Sequence, residues 1–375
     1  MRGLRRVGLA LGLSAMLTLP GLAAASAQDN GYVVSPYLTG SQAVSLAIDP
    51  NGHLAIVEQG TGAMDGQIER LVDLDGNGTI DNEAERHAVA AALPSTFYVD
   101  PQTGEGSGAG VEAAAWSPTG ELYFVTNAFW PDFTNDNYGS IASSAAPNTS
   151  TNPLRAASPY ASLARYEASA NPDGMEINPN PFALVMDAAG NAYVNDPGAN
   201  DTLKITPDGT ITTFALYPHV EIPAELGFQF PDTQPVPTGI AFGPDGALYV
   251  GQLTGGPFLP GAATVYRLDD LNGDGDALDA GELTVFAGGL TTVTDIAFGP
   301  DGALYATEFR GFLTSGDEGS GAAPLADGDV VKWNGSDWET VVSGLMMPTS
   351  VKVGGDGAVY VLTLDGTVLR ALPTS

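Results

Sequence analysis

The 375-residue sequence has no cysteine, only three histidines, and 13 lysines and arginines against 44 aspartates and glutamates. Without cysteine there is no disulfide, thiolate metal ligand or cysteine nucleophile. His53, His87 and His219 show neither triad nor zinc spacing, so histidine-based hydrolysis finds no support and each reads as a surface or turn residue. A formal charge of −31 repels nucleic acid and anionic lipid while attracting cations, and it also serves solubility outside the cell. No phosphate-cradling loop, dinucleotide fingerprint or basic aromatic stripe is present. After the first residues no run is long and apolar enough to span a bilayer.

Those first residues have the form of a secretory leader. Arg2, Arg5 and Arg6 precede an apolar run from Val7 to about Leu19, and Ala25-Ser26-Ala27 follows with the small-x-small pattern of a cleavage site. The expectation is a signal peptide over 1–27, a single domain over 28–375, and a secreted or periplasmic location with no membrane span after cleavage. No cysteine follows the apolar run, which argues against a lipid anchor.

What is abundant is a repeated unit. TGIAFGPDGALYVGQ from Thr238 returns almost unchanged as TDIAFGPDGALYATE from Thr294. Each copy reads as strand, tight turn and strand, with Pro presetting φ and Gly accepting the positive φ that closes a short hairpin. The flanking apolar runs lack helical spacing and suit strands covered on both faces. Weaker copies begin at Ser45, Ala113, Ala183 and Ser350, which places the turn glycines at Gly52, Gly120, Gly190, Gly246, Gly302 and Gly357. The last three intervals are 56, 56 and 55 residues. Strand-only repeats of this length predict an all-β, six-bladed β-propeller. After Gly357 there is room for the hairpin and one more strand only, so the segment GYVVSPYL from Gly31 is expected to complete the last blade and leave no open edge.

Two turns stand out as cation sites. Asp73, Asp75, Asn77, Thr79 and Glu85 in the first blade match Asp270, Asn272, Asp274, Asp276 and Glu282 in the fourth. Both stretches resemble the calcium loop of EF-hand proteins, with oxygen ligands at positions 1, 3 and 5, glycine at 6 and an acidic closer. The closing glutamate falls at position 13 instead of 12, with Asp81 or Asp279 contributing through water. These turns link strands, so only the loop is shared with that family. Structural calcium is the expectation.

Propeller topology puts these turns on one face, together with the hairpin turns; the middle connections and the links between blades lie on the other. All long insertions belong to that second face, where function concentrates. Blade two carries the largest, from about 128 to a strand SLARYE at Ser162; Trp130, Phe133 and Tyr138 suggest a packed lid, and Asn148-Thr149-Ser150 fits a glycosylation sequon. A proline-rich connector follows blade three, and a Gly/Ser/Asp-rich loop interrupts blade five from Gly311 to about Gly328.

The insertion-rich face also receives the residue six positions after each turn glycine: Glu58, Thr126, Asp196, Gln252, Glu308 and Thr363. With Asp295 and Glu112 they outline a polar ring at the channel mouth. Strand ends are polar because they meet water, yet convergent carboxylates can also hold a divalent ion or act as acid and base.

From about Gly31 to its end the chain resembles the ScyD/ScyE family of exported propellers. The resemblance is carried by NPFALVMDAAGNAYVNDPGANDTLKITPDGTI, VPTGIAFGPDGALYVGQLTGGPF and ATVYRLDDLNGDGDALDAGE. The wider group is similar to NHL-repeat and gluconolactonase-like propellers, and the resemblance implies fold and export more firmly than any reaction. Two readings remain open. One is a noncatalytic binding or assembly propeller whose insertion-rich face takes a protein partner or small ligand. The other is a gluconolactonase-like hydrolase with a second divalent cation at the mouth, held by some of Glu58, Asp196, Gln252, Asp295 and Glu308.

Overall fold

A computed structural model describes residues 27–99, 106–127, 140–143, 158–309 and 327–374. It is a six-bladed β-propeller whose blades are antiparallel sheets. In blade one, Ala43–Ile48 is innermost and is followed outward by Leu54–Glu58, Gly66–Leu71 and Arg86–Leu93. Blades three, four and five repeat this order. The six turn glycines all adopt φ between +77° and +88°, a left-handed region that any side chain with a Cβ enters at a cost.

Apolar runs on both strand faces are explained by where the cores lie. Six clusters of buried side chains each join two neighbouring blades, so the second strands of blades one and two, Leu54–Glu58 and Leu122–Thr126, are buried at every position. Ile56 packs toward blade six, for instance, while Val57 packs toward blade two. No blade buries its own surface, and closure of the circle is therefore a condition of stability.

The N-terminal segment meets that condition. Tyr32–Leu38 lies antiparallel to Val368–Pro373 with Val33 opposite Leu372 and Ser35 opposite Arg370, completing the sixth blade as expected. Ala27–Asp29 adds a short fifth strand at the outer edge. Val34 enters the core shared with blade five, and Tyr37 and Leu38 enter the core shared with blade one.

Blade two corrects one expectation. SLARYE is not a strand beyond its first residue: Ser140–Ser143 and Ser158–Ser162 form the outer pair, and Leu163–Ala170 is a helix. The Ser162 hydroxyl accepts the amide of Arg165 as N-cap, and Leu163, Ala164 and Glu167 share one buried face at helical spacing. Asn171 ends the helix in the left-handed conformation. The lid residues Trp130, Phe133 and Tyr138, the sequon at Asn148 and the stretch 310–326 lie outside the described residues, as does nearly all of the leader. Among the described residues no helix is long and apolar enough to cross a membrane.

Candidate functional site

The two acidic loops join the third and outer strands of blades one and four, opposite the insertion-rich face. In each, the first aspartate accepts backbone amides across the turn. Asp73 accepts Gly76 at 2.7 Å and Gly78 at 2.8 Å, and Asp270 accepts Gly273 at 2.7 Å and Gly275 at 2.9 Å. The closing glutamates at position 13 do turn inward. Glu85, fully buried, accepts Leu74 N at 3.0 Å and Asp81 N at 3.1 Å; Glu282 accepts Leu271 N at 2.9 Å and Asp279 N at 3.0 Å.

Carboxylate oxygens of Asp73, Asp75 and Glu85 lie within 4.8 Å of one another, a fit to a hard cation. The Asn77 side-chain amide donates to Asp75 and Asp81, and Asn272 donates to Asp274 and Asp279, so amide hydrogens face the carboxylates where positive charge is wanted. In the second loop, among the described residues, no three carboxylates approach as closely. Each loop also reaches the preceding blade: Ile80 N donates to Tyr37 O at 2.6 Å and Ala277 N to Phe214 O at 2.7 Å.

On the other face, the polar residues closing the second strands are all buried: Glu58, Thr126, Asp196, Gln252, Glu308 and Thr363. Their described bonds run mostly within the blade. Glu58 accepts Gln42 N at 3.0 Å and the Arg86 guanidinium at 3.2 Å, and Glu308 accepts Thr291 N at 3.0 Å. Asp295 bridges to blade six, accepting the Ser350 hydroxyl and Lys352 ammonium at 2.6 Å each and Val351 N at 3.0 Å. Glu112 lies between blades one and two, accepting the side-chain amides of Gln59 and Asn127, and burial pushes its carboxyl up to about 8 despite them. One step beyond the polar ring, Leu253 and Phe309 pack with Met347, giving blades four to six an apolar mouth.

The mouth of blades three and four differs in having polar groups left over. Gln252 is 1% exposed, yet among the described residues neither end of its amide has a hydrogen-bond partner, and the Thr254 hydroxyl is likewise unpartnered. In blade three, Asp196 and Asp201 face one another across the antiparallel pair, and Glu167 reaches in from the helix. Asp196 Oδ1 accepts Asn180 N at 2.7 Å and the amides of Gly198 and Ala199 at 3.1 Å each; among the described residues its Oδ2 accepts nothing. Burial, outweighing those amides, lifts its carboxyl to about 7. Burial and then repulsion from Asp196 and Asp173 lift Glu167 to about 7, and burial followed by repulsion from Asp196, Glu167 and Asp173 holds Asp201 well above the carboxylate range.

Of the expected mouth residues, the structure thus sets Asp196 and Gln252 among unpartnered groups, whereas Glu58 and Asp295 are engaged by their own or the next blade. Glu167 and Asp201 escaped the sequence reading: the first because its segment reads as a strand, the second because it opens a strand. The signal available was an acidic residue at both ends of the short turn DPGAND.

No family model and no curated relative matches the chain. Solved structures do. A PQQ-bound aldose sugar dehydrogenase from Streptomyces coelicolor has a TM-score of 0.52 at 15% identity over 92% of this chain and 100% of its own. A gluconolactonase from Xanthomonas campestris has 0.51 at 13% over 91% and 90%, and an auxiliary nutrient binding protein from Bacteroides thetaiotaomicron has 0.52 at 9% over 90% and 69%. The neighbours include six-bladed propellers of the SMP-30/gluconolactonase type. At these identities the likeness is one of fold, and that fold carries both enzymes and binding proteins.

Proposed function

We propose that the chain is an exported, noncatalytic binding propeller of the ScyD/ScyE type. It receives a small ligand or partner on the insertion-rich face, and calcium in the Asp73 and Asp270 loops braces the opposite face. The observation that carries this reading is the Gln252 amide, buried beside the Leu253, Phe309 and Met347 cluster with both polar ends unpartnered among the described residues. A buried amide with no partner costs stability, and a fold tolerates it where a ligand supplies the missing bonds. Amide and hydroxyl next to apolar side chains suit a neutral or cationic molecule that is partly apolar and partly hydroxylated.

The gluconolactonase-like alternative requires at least three oxygens from Glu58, Asp196, Gln252, Asp295 and Glu308 on one ion. Glu58 is bonded to Arg86 and Asp295 to Lys352, which favours binding over hydrolysis. The test is a thermal-shift screen of hydroxylated and amphipathic small molecules, run beside a lactone hydrolysis assay with added calcium or manganese. Expected is a stabilising compound whose effect disappears in Gln252→Ala, without metal-dependent turnover. Turnover lost in Asp196→Asn would overturn the reading in favour of the hydrolase. The extracytoplasmic location is checked by N-terminal sequencing of the mature chain, expected to begin at Gln28.

A further inference from the structure

Blade three holds a concentration of buried carboxyl groups that neither the loops nor the proposed ligand site accounts for. Glu167, Asp196 and Asp201 are each 1% exposed or less. Both oxygens of Glu167, both of Asp201 and Oδ2 of Asp196 have no hydrogen-bond partner among the described residues. Asn171, the residue that ends the helix, adds an unpartnered Oδ1 one turn beyond Glu167. The influences on Glu167 and Asp201 are burial and other carboxylates, with no cationic side chain among them.

Such a set is not explained as a solvated face, because it is out of water. Nor is it an ordinary buried ion pair, because it has no positive member. Ionised carboxylates in these surroundings are strongly disfavoured unless compensated. We infer that Glu167, Asp196 and Asp201 hold a hard divalent cation, calcium by preference, on the face opposite the acidic loops.

Three features favour a cation. The free donor set is oxygen only, and with Asn171 it numbers six, the lower bound of calcium coordination. Asp196 is pre-aimed: three backbone amides fix Oδ1 and leave Oδ2 for a ligand. Strand pairing holds Asp201 opposite Asp196, while Glu167 comes from a separate element and can close on the ion by side-chain rotation. Among the described residues the three groups do not meet within the 4.8 Å that joins Asp73, Asp75 and Glu85, so ligation requires them to close on the ion. Asp173, paired with the Asn200 amide at 2.9 Å, stands at the periphery of the cluster. The ion would tie the helix after blade two to the second and third strands of blade three.

The experiment counts calcium. Full-length mature chain and its Glu167→Gln/Asp201→Asn variant are stripped with EGTA, dialysed against calcium chloride at pH 7.5, and assayed for bound calcium by atomic emission. Both keep the two loops, so whatever those bind cancels. Expected is one ion fewer per variant chain, together with a higher melting temperature for the variant in EGTA, because unpartnered charge has been removed. Equal calcium content in the two proteins would overturn the inference and leave a proton-sharing carboxyl cluster. Glu167→Gln alone, the milder change, gives the same readout if the double variant does not fold.

Discussion

Because all six cores lie between blades, the register joining Tyr32–Leu38 to Val368–Pro373 should be testable by a covalent bond across it. Val33 and Leu372 are opposite one another and outside the core. Opposed residues of antiparallel strands have Cα separations of about 4.5 to 5.5 Å, within disulfide range. The chain has no cysteine, so Val33→Cys/Leu372→Cys creates a single pair. Closing a loop of about 340 residues removes about 20 cal/mol/K from the unfolded state, or about 6 kcal/mol at 25 °C on the chain-entropy model. With an unfolding entropy of about 2.1 cal/mol/K per residue over about 350 residues, the entropic ceiling is a rise of about 8 °C. Calorimetry should show an oxidised monomer melting several degrees above its reduced form. Free thiols after mild oxidation, or disulfides only between chains, would refute the closure.

Other perturbations follow from the same geometry. Glu85→Ala removes the buried acceptor of two loop amides and should cost about 3 kcal/mol, at about 1.5 kcal/mol for each bond to a charged group. It should also abolish any melting shift between calcium and EGTA that originates in loop one; an undiminished shift would count against calcium there. Burial raises Glu112 from an ordinary 4.5 to about 8, so between those values the folded state holds more protons than the unfolded. Its contribution is full below about 4.5 and is lost as pH rises through about 8. Denaturant titrations in EGTA should therefore show a falling stability that is shallower in Glu112→Gln; identical slopes would remove Glu112 as a contributor. Ser162→Ala should destabilise by about 1 kcal/mol through loss of the helix cap, and a neutral result would leave the helix start without its stated cause.

The architecture was legible because its determinants are local and repeated: Pro-Asp-Gly turns, apolar strand pairs and a missing outer strand. The acidic loops were legible for the same reason, down to Glu85 at position 13, although their bonds to Tyr37 and Phe214 were not, since these depend on the neighbouring blade. SLARYE was misread because its residues suit a strand as well as a helix; the N-cap at Ser162 and burial of Glu167 decided the matter. The mouth residues were found by position, but position does not tell an engaged carboxylate such as Asp295 from an unpartnered side chain such as Gln252. That distinction is made by partners distant in sequence, with Lys352 supplied by another blade.

The binding reading depends on Gln252 being held without a partner until a ligand arrives. The most direct check is the melting temperature of ligand-free Gln252→Leu, a substitution of similar size that deletes both polar ends. Release from an unpaired buried amide should raise it by about 1 to 4 °C, on a penalty of about 1 to 3 kcal/mol for such a group in a chain of this size. A fall of that magnitude would mean that the amide already supports the fold, and the claim of a binding site at this mouth would be contradicted.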